Sequence, residues 1–185
     1  MRAVLVDAPE SLLEDRRRRG IDKQDECWEG EWHLVHPPRH WHTRLNTDLL
    51  LALAPLARRF GLGPYGDGTG VFADPESDWR VPDQAYGRPE HIIDEGVTGA
   101  ELVVEIRSPG DESYAKLPFY AARGVTEVLI VHEDRRFELY RLDDEGRYVL
   151  AEDGSGTAIS AVLGVRFTTD DGRLRLDWDG GSAEV

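Results

Sequence analysis

The chain holds a single cysteine, Cys27, and so carries neither an internal disulfide framework nor a CxxC zinc or redox motif. Long apolar runs are missing too: the longest nearly uncharged stretch, residues 49–57, is far too short to span a bilayer. The first residues, Met1-Arg2 and then Val4-Leu5-Val6 before an acid at Asp7, lack the pattern of a cleavable signal. Together these absences predict a cytoplasmic protein with no membrane contact. Positive charge is scarce: the formal net charge is −14 and the pI is near 4.8. A protein that clamps duplex DNA without sequence preference is normally basic, because phosphate neutralisation supplies that affinity. Any nucleic-acid contact therefore has to be local, metal-assisted or helped by a partner. No GxxxxGK[ST] phosphate loop and no G-x-S-x-G elbow occurs. Gly61-Leu-Gly63 and Gly66-Asp-Gly-Thr-Gly70 follow a helix rather than a strand and read as loop.

What is present is ordinary globular material, 40% apolar and 31% charged, in 185 residues that fit one domain with a sizeable core. Asp7-Ala-Pro-Glu10 reads as a helix start, with Asp7 as N-cap and Gly20 as the stop. The arginines at 16 to 19 read as its solvated end, where cations suit the helix dipole. Two short strands about Gly30 are followed by Pro37-Pro38 and a helix from about Arg39. In that helix Leu45, Leu49, Leu53, Leu56 and Phe60 recur at helical spacing, and Pro55 should kink or split its last turns. Val71-Phe72 and residues 80–85 suggest a strand pair. Residues 101–106 form the best central strand, a β-branched run with little alternation. A short helix to Arg123 and a strand over 127–132 complete a βαβ unit, which makes its two strands parallel. Antiparallel hairpins follow over 137–151 and 165–178. Residues 1–179 then form one domain, with 180–185 as a flexible tail.

Three residues stand out chemically. Glu105 is a carboxylate inside an apolar strand, costly to bury unless paired or holding a metal. It shares its strand face with Arg107, so a partly solvated ion pair is an equal reading. Asp83 follows Pro82, which holds Val81 extended; an aspartate there is commonly a turn or cap residue. Lys116 opens the short helix directly after the Glu105 strand, near the strand end where open α/β sheets place their sites. A lone lysine is otherwise a surface residue. His33, His36, His40 and His42 crowd together, and imidazole suits zinc, but two prolines interrupt them and no H-E-x-x-H pair occurs.

In this order, Val81-Pro-Asp83, Glu101-Leu-Val-Val-Glu105-Ile-Arg-Ser-Pro109 and Lys116-x-x-x-Tyr120-x-x-x-Gly124-Val125 resemble the pattern of the Uma-type "putative restriction endonuclease" family, within the PD-(D/E)xK nuclease superfamily. Upstream, Trp28-Glu-Gly-Glu31, Pro37-Pro38 and His42-x-Arg44-Leu45 fit as well. The resemblance implies an α/β fold with a restriction-endonuclease-like core: a central mixed β-sheet flanked by helices, with added antiparallel hairpins. It implies that Asp83 and Glu105 hold a divalent ion together with the main-chain carbonyl of Ile106. Mg²⁺ suits that set, with Mn²⁺ as substitute. Lys116 would orient a metal-bound water or stabilise developing negative charge, and His42 would contact phosphate or assist proton transfer. Glu29 and Glu31 are weaker candidates for closing the site. The sequence departs from the pattern at Arg107, where Glu-x-Lys has lysine, at Pro118 close behind Lys116, and at His132, where relatives carry aspartate. The implied activity is metal-dependent endonucleolytic hydrolysis of nucleic acid, DNA first; separately, the apolar content and the many edge-type hairpins suggest a homodimer. The alternative, favoured by the acidic surface, is a lapsed nuclease fold serving as a binding or assembly module.

Overall fold

The computed structural model describes residues 3–66, 68–151 and 156–185. After strand β1 (Ala3–Leu5), helix α1 (Glu10–Arg19) starts with Pro9 in the cap position, so Asp7 lies outside it and makes no cap. Gly20 ends α1 in the left-handed conformation, as expected. Strands β2 (Glu26–Trp28) and β3 (Glu31–Leu34) form a hairpin whose turn is Glu29-Gly30, with φ of 51° and 94°. Two positive φ values are what a tight two-residue hairpin turn requires.

Helix α2 (His40–Arg59) buries Leu45, Leu49, Leu53 and Leu56 along one stripe, and it runs through Pro55 without interruption. The backbone bond that Pro55 cannot make would go to the carbonyl of Leu51, on the exposed side of the helix, where water can replace it. Strands β4 (Gly63–Tyr65), β5 (Gly70–Asp74), β6 (Asp78–Arg80) and β7 (Gln84–Gly87) follow. The single strand expected over residues 80–85 is in fact two strands in two different sheets, β6 pairing β5 and β7 pairing β9. Val81-Pro82-Asp83 is the crossing between them, and Pro82, with no N–H to give, suits a break in the ladder.

Beyond β8 (Gly96–Val97), strand β9 (Leu102–Arg107) leads through a 3-10 turn over Ser113–Lys116 into α3 (Leu117–Ala122) and then β10 (Glu127–His132). β9 and β10 pair in parallel from Glu127↔Leu102 to His132↔Arg107, as the βαβ reading requires. β11 (Phe137–Leu142) and β12 (Tyr148–Leu150) complete the central sheet in the order β12-β11-β10-β9-β7-β4. The N-terminal sheet has the order β1-β3-β2-β6-β5-β8. A third sheet is formed by β13 (Thr157–Ile159), β14 (Arg166–Asp170), β15 (Arg173–Trp178) and β16 (Gly181–Glu184). The last of these corrects the expected flexible tail. β16 pairs β15, and Val185 exchanges backbone hydrogen bonds of 2.9 and 3.0 Å with Leu174.

The two faces of β9 serve different cores. Leu102, Val104 and Ile106 pack with the α2 leucines and with Phe167, Leu174 and Leu176 of the third sheet. Val103 packs on the other face with Phe119 and Tyr120 of α3. Period-two alternation puts Glu105 on this second face, under α3, where its side chain is almost wholly buried. No described helix is long and apolar enough to cross a membrane.

Candidate active site

Glu105 is 4% exposed. Its carboxylate accepts hydrogen bonds from Lys116 Nζ, at 3.0 Å to Oε1 and 3.1 Å to Oε2, and from the Tyr120 hydroxyl at 2.6 Å. Lys116 and Tyr120 are four residues apart at the start of α3, so both side chains descend on the same strand position. Pro118 lies in the first turn of α3, where no N–H is needed, and it leaves Lys116 aimed inward. Arg107 shares the strand face of Glu105 but does not pair with it. Its guanidinium lies 5.1 Å over the Tyr114 ring, and its Nε is 4.0 Å from Asp111.

Lys116 is held by a second buried carboxylate. Its Nζ lies 2.7 Å from Glu26 Oε1, and it also donates to the Val81 carbonyl at 3.3 Å. Glu26 in turn accepts from the Val81 N–H at 3.0 Å and from the Trp28 indole at 2.7 Å. Glu26 is the site residue that sequence reasoning missed. Glu29 occupies the hairpin turn and Glu31 is exposed on β3, so neither reaches Lys116. The legible signal was the alternation of Glu26-Cys27-Trp28, which sends an acid and an aromatic to one face of β2.

Asp83 joins the group through the backbone. Its Oδ2 accepts from the Ile106 N–H at 2.7 Å, extending the β7–β9 ladder one step beyond Gln84↔Val104 with a side chain. The Ile106 carbonyl accepts from His42 Nε2 at 3.0 Å, which fixes the proton on that nitrogen, and Asp83 Oδ1 lies 3.4 Å away from it. Asn46 and Gln84 brace this corner: Gln84 donates to Asn46 Oδ1 at 2.7 Å, and the Tyr86 hydroxyl donates to Gln84. Asp83, Glu105, Lys116, His42 and Glu26 all line one cleft of about 580 Å³.

Burial pushes the Glu105 carboxyl up from 4.5 to about 7; Lys116 pulls the other way, while Asp83 and Glu26 add to the rise. Burial, with the neighbouring Glu105, also keeps the Tyr120 hydroxyl protonated well above its ordinary value. Lys116 is shared by Glu26 and Glu105, and Asp83 adds a third carboxylate beside His42, so acids outnumber the paired cation in this corner of the cleft. That imbalance, and an all-oxygen donor set of two carboxylates and the Ile106 carbonyl, fit a hard dication that keeps waters as its other ligands. Among the described residues, no three His, Cys, Asp or Glu side chains stand together as a ready ligand set. The clustered histidines diverge: His33 pairs with Glu112 at 2.8 Å and stacks on Trp28, His42 serves the Ile106 carbonyl, and His36 and His40 are exposed. His132 faces Glu138 at 2.9 Å.

A family model described as "Putative restriction endonuclease" matches residues 13–170. Among solved structures, the chain is similar to a crystal structure of a putative nuclease belonging to DUF820 from Anabaena variabilis ATCC 29413. The TM-score is 0.58 at 11% sequence identity, over 76% of this chain and 83% of that one, which is a likeness of fold. No curated protein matches the chain.

Proposed function

We propose, from the premise that the chain belongs to the Uma2 family of putative restriction endonucleases, that it is a metal-dependent endonuclease hydrolysing phosphodiester bonds of nucleic acid, with DNA the first candidate. The observation that carries this reading is the buried Glu26–Lys116–Glu105 array in an open cleft beside Asp83. Burying charges is costly, and hydrophobic residues of similar volume would commonly stabilise the fold as well or better. A buried array with a surplus of acid makes chemical sense where a substrate or ion completes it.

Asp83 and Glu105, with the Ile106 carbonyl, would hold Mg²⁺ or Mn²⁺. Such an ion, when bound, lowers the pKa of a coordinated water and offsets charge on the phosphoryl oxygens. The chain's own residues do the rest. Lys116, which lies between Glu26 and Glu105, would donate to the attacking water or to the developing oxyanion. Tyr120 holds Glu105 Oε1 in place, and His42 fixes the Ile106 carbonyl. The N-terminus of α2 borders the cleft with Arg39 in its cap position and no acid in its first turn, a locally positive end on an acidic protein.

The lapsed-module reading keeps one specific support: Lys116 is already paired on two sides, as in a purely structural ion cluster. Calorimetric titration with Mg²⁺ or Mn²⁺, and plasmid nicking, separate the two for wild type and Glu105→Ala. Nicking by wild type that is lost at least about a hundredfold in Glu105→Ala supports the nuclease. Metal binding without nicking supports the module, and nicking unchanged by the substitution removes Glu105 from the chemistry.

A further inference from the structure

A second cavity, of about 290 Å³, lies against the N-terminal sheet. At about 30 Å³ per water it holds on the order of ten waters, too much for a packing fault and too little for a large ligand. Its floor is written in the strand register. Trp32, Cys27, Trp79 and Phe72 are directly paired across β3, β2, β6 and β5, so their side chains share one face of the sheet. On either side of small Cys27, Trp32 and Trp79 meet edge to face at 5.2 Å, with Phe72 against Trp79 at 5.8 Å. The Trp79 indole donates to the Asp25 carbonyl at 3.0 Å, which locks its orientation.

The wall of this cavity is also the wall of the cleft. Asp22, Lys23 and Asp25 line the aromatic cavity, whereas Gln24 and Glu26 line the cleft, and Val81 lines both. The turn over residues 22–25, closed by the Asp25 N–H on the Asp22 carbonyl, and the start of β2 therefore separate the Lys116 array from the tryptophans. The polar groups of the cavity select the guest. Asp25 is satisfied by Arg16 and by the Val35 N–H, but Asp22 Oδ1 is buried without a hydrogen-bond partner among the described residues. A buried acceptor of this kind asks for a donor. Arg17 and Lys23 oppose Asp22 and Glu95 around the opening, so the cavity favours neither a bare anion nor a bare cation.

We propose that this cavity receives one unstacked nucleobase bearing an exocyclic amino group, from a nucleic-acid strand whose phosphate occupies the neighbouring cleft. The inference rests on the nuclease reading for the presence of that strand. Because the two indoles are nearly perpendicular, the base stacks on one of them and meets the edge of the other, and the Asp22 side chain turns to bring its buried Oδ1 to the amino group. Adenine, cytosine and guanine carry such an amine. In thymine and uracil the only ring N–H able to reach it is flanked by two carbonyls, which a carboxylate repels. The substrate is then single-stranded, or a duplex locally opened to release that base.

The test is anisotropy of labelled oligo(dC), oligo(dA) and oligo(dT) with the full chain, using Ca²⁺ to replace Mg²⁺, together with tryptophan quenching. The expected result is binding of oligo(dC) and oligo(dA) about tenfold tighter than oligo(dT), with quenching. Trp79→Leu should weaken all three about tenfold, and Asp22→Asn, a loop substitution with little risk to folding, should abolish the preference. Variants that bind like wild type overturn the proposal. So does quenching by free adenosine monophosphate alone, which would make the cavity a nucleotide site, or by arginine methyl ester alone, which would make it a cation site. Plasmid nicking in Mg²⁺ or Mn²⁺ is scored separately. Base preference without nicking defeats only the nuclease reading, and nicking without preference defeats only this one.

Discussion

Lys116 is one of two lysines in a chain with twenty arginines, and its position explains why arginine does not stand there. A compact ammonium fits between Glu26 and Glu105 and still reaches the Val81 carbonyl, whereas a planar guanidinium would need a wider, coplanar arrangement. Removing the cation while both carboxylates stay buried should be severe. Lys116→Met is expected to cost about 3–5 kcal/mol in urea unfolding, and Lys116→Arg should fail to recover the loss; a wild-type midpoint in both would show that the array is not tightly coupled. Glu105 gives a pH signature of the same site. Its carboxyl moves from 4.5 to about 7 on folding, so between those values the folded protein holds a proton that the unfolded chain has released. Stability without divalent ions should therefore be full below that window and fall as pH rises through it. Melting in EDTA at about pH 5 and about pH 8 checks the sign, and Glu105→Gln should flatten the slope.

Among the elements, the crossing from β6 to β7 matters most for the site. Val81-Pro82-Asp83 leaves one sheet and enters the other, and both of its polar ends are used: Val81 holds Glu26 and Lys116, and Asp83 holds Ile106. Buried Glu127 links the central sheet to the third: it pairs with Arg141 at 2.9 Å and accepts from the Ala161 N–H at 2.8 Å. The closing strand β16 covers one edge of that third sheet, whose Leu174 and Leu176 are fully buried in the core that the α2 leucines share. Deleting residues 180–185 should lower stability by at least about 1 kcal/mol, roughly 2–4 °C in Tm for a protein of this size. An unchanged Tm would restore the reading of a loose tail.

At the scale of the whole molecule, a net charge of −14 opposes the approach of any polyanion. On the proposed reading, attraction comes mainly from the cleft, where α2 begins and where a dication would bind, so few phosphates would be neutralised by the protein itself. With divalent ion present, affinity for nucleic acid should change less than about tenfold between about 50 and 200 mM salt. A protein with six to ten phosphate contacts loses about 10³–10⁵ over that range. Anisotropy across the two salt concentrations measures this directly, and a steep loss would reveal a basic track that the charge balance hides.

Period and punctuation alone determined much of this protein. The leucine stripe of α2, the β-branched run of β9, the parallel βαβ unit and the stop at Gly20 all follow from local preferences that act within a few residues. Asp83, Glu105 and Lys116 were legible as chemical oddities because a family pattern joined them. The tertiary structure alone decided which groups touch. Glu26 meets Lys116 across 90 positions of sequence; the alternation of Glu26-Cys27-Trp28 marks a strand face, but only the folded hairpin turns that face to Lys116 and sends Glu29 and Glu31 to solvent. Arg107 and Glu105 share a strand face, yet the helix above chose Lys116 as the partner. Residues 180–185 read as a tail because five of the six are polar or small and carry almost no hydrophobic signal. Their strand exists through backbone bonds to an edge that another hairpin supplies. Local sequence sets the shape of each element, but ion pairing and sheet edges are long-range contacts that form only once the chain has folded back upon itself.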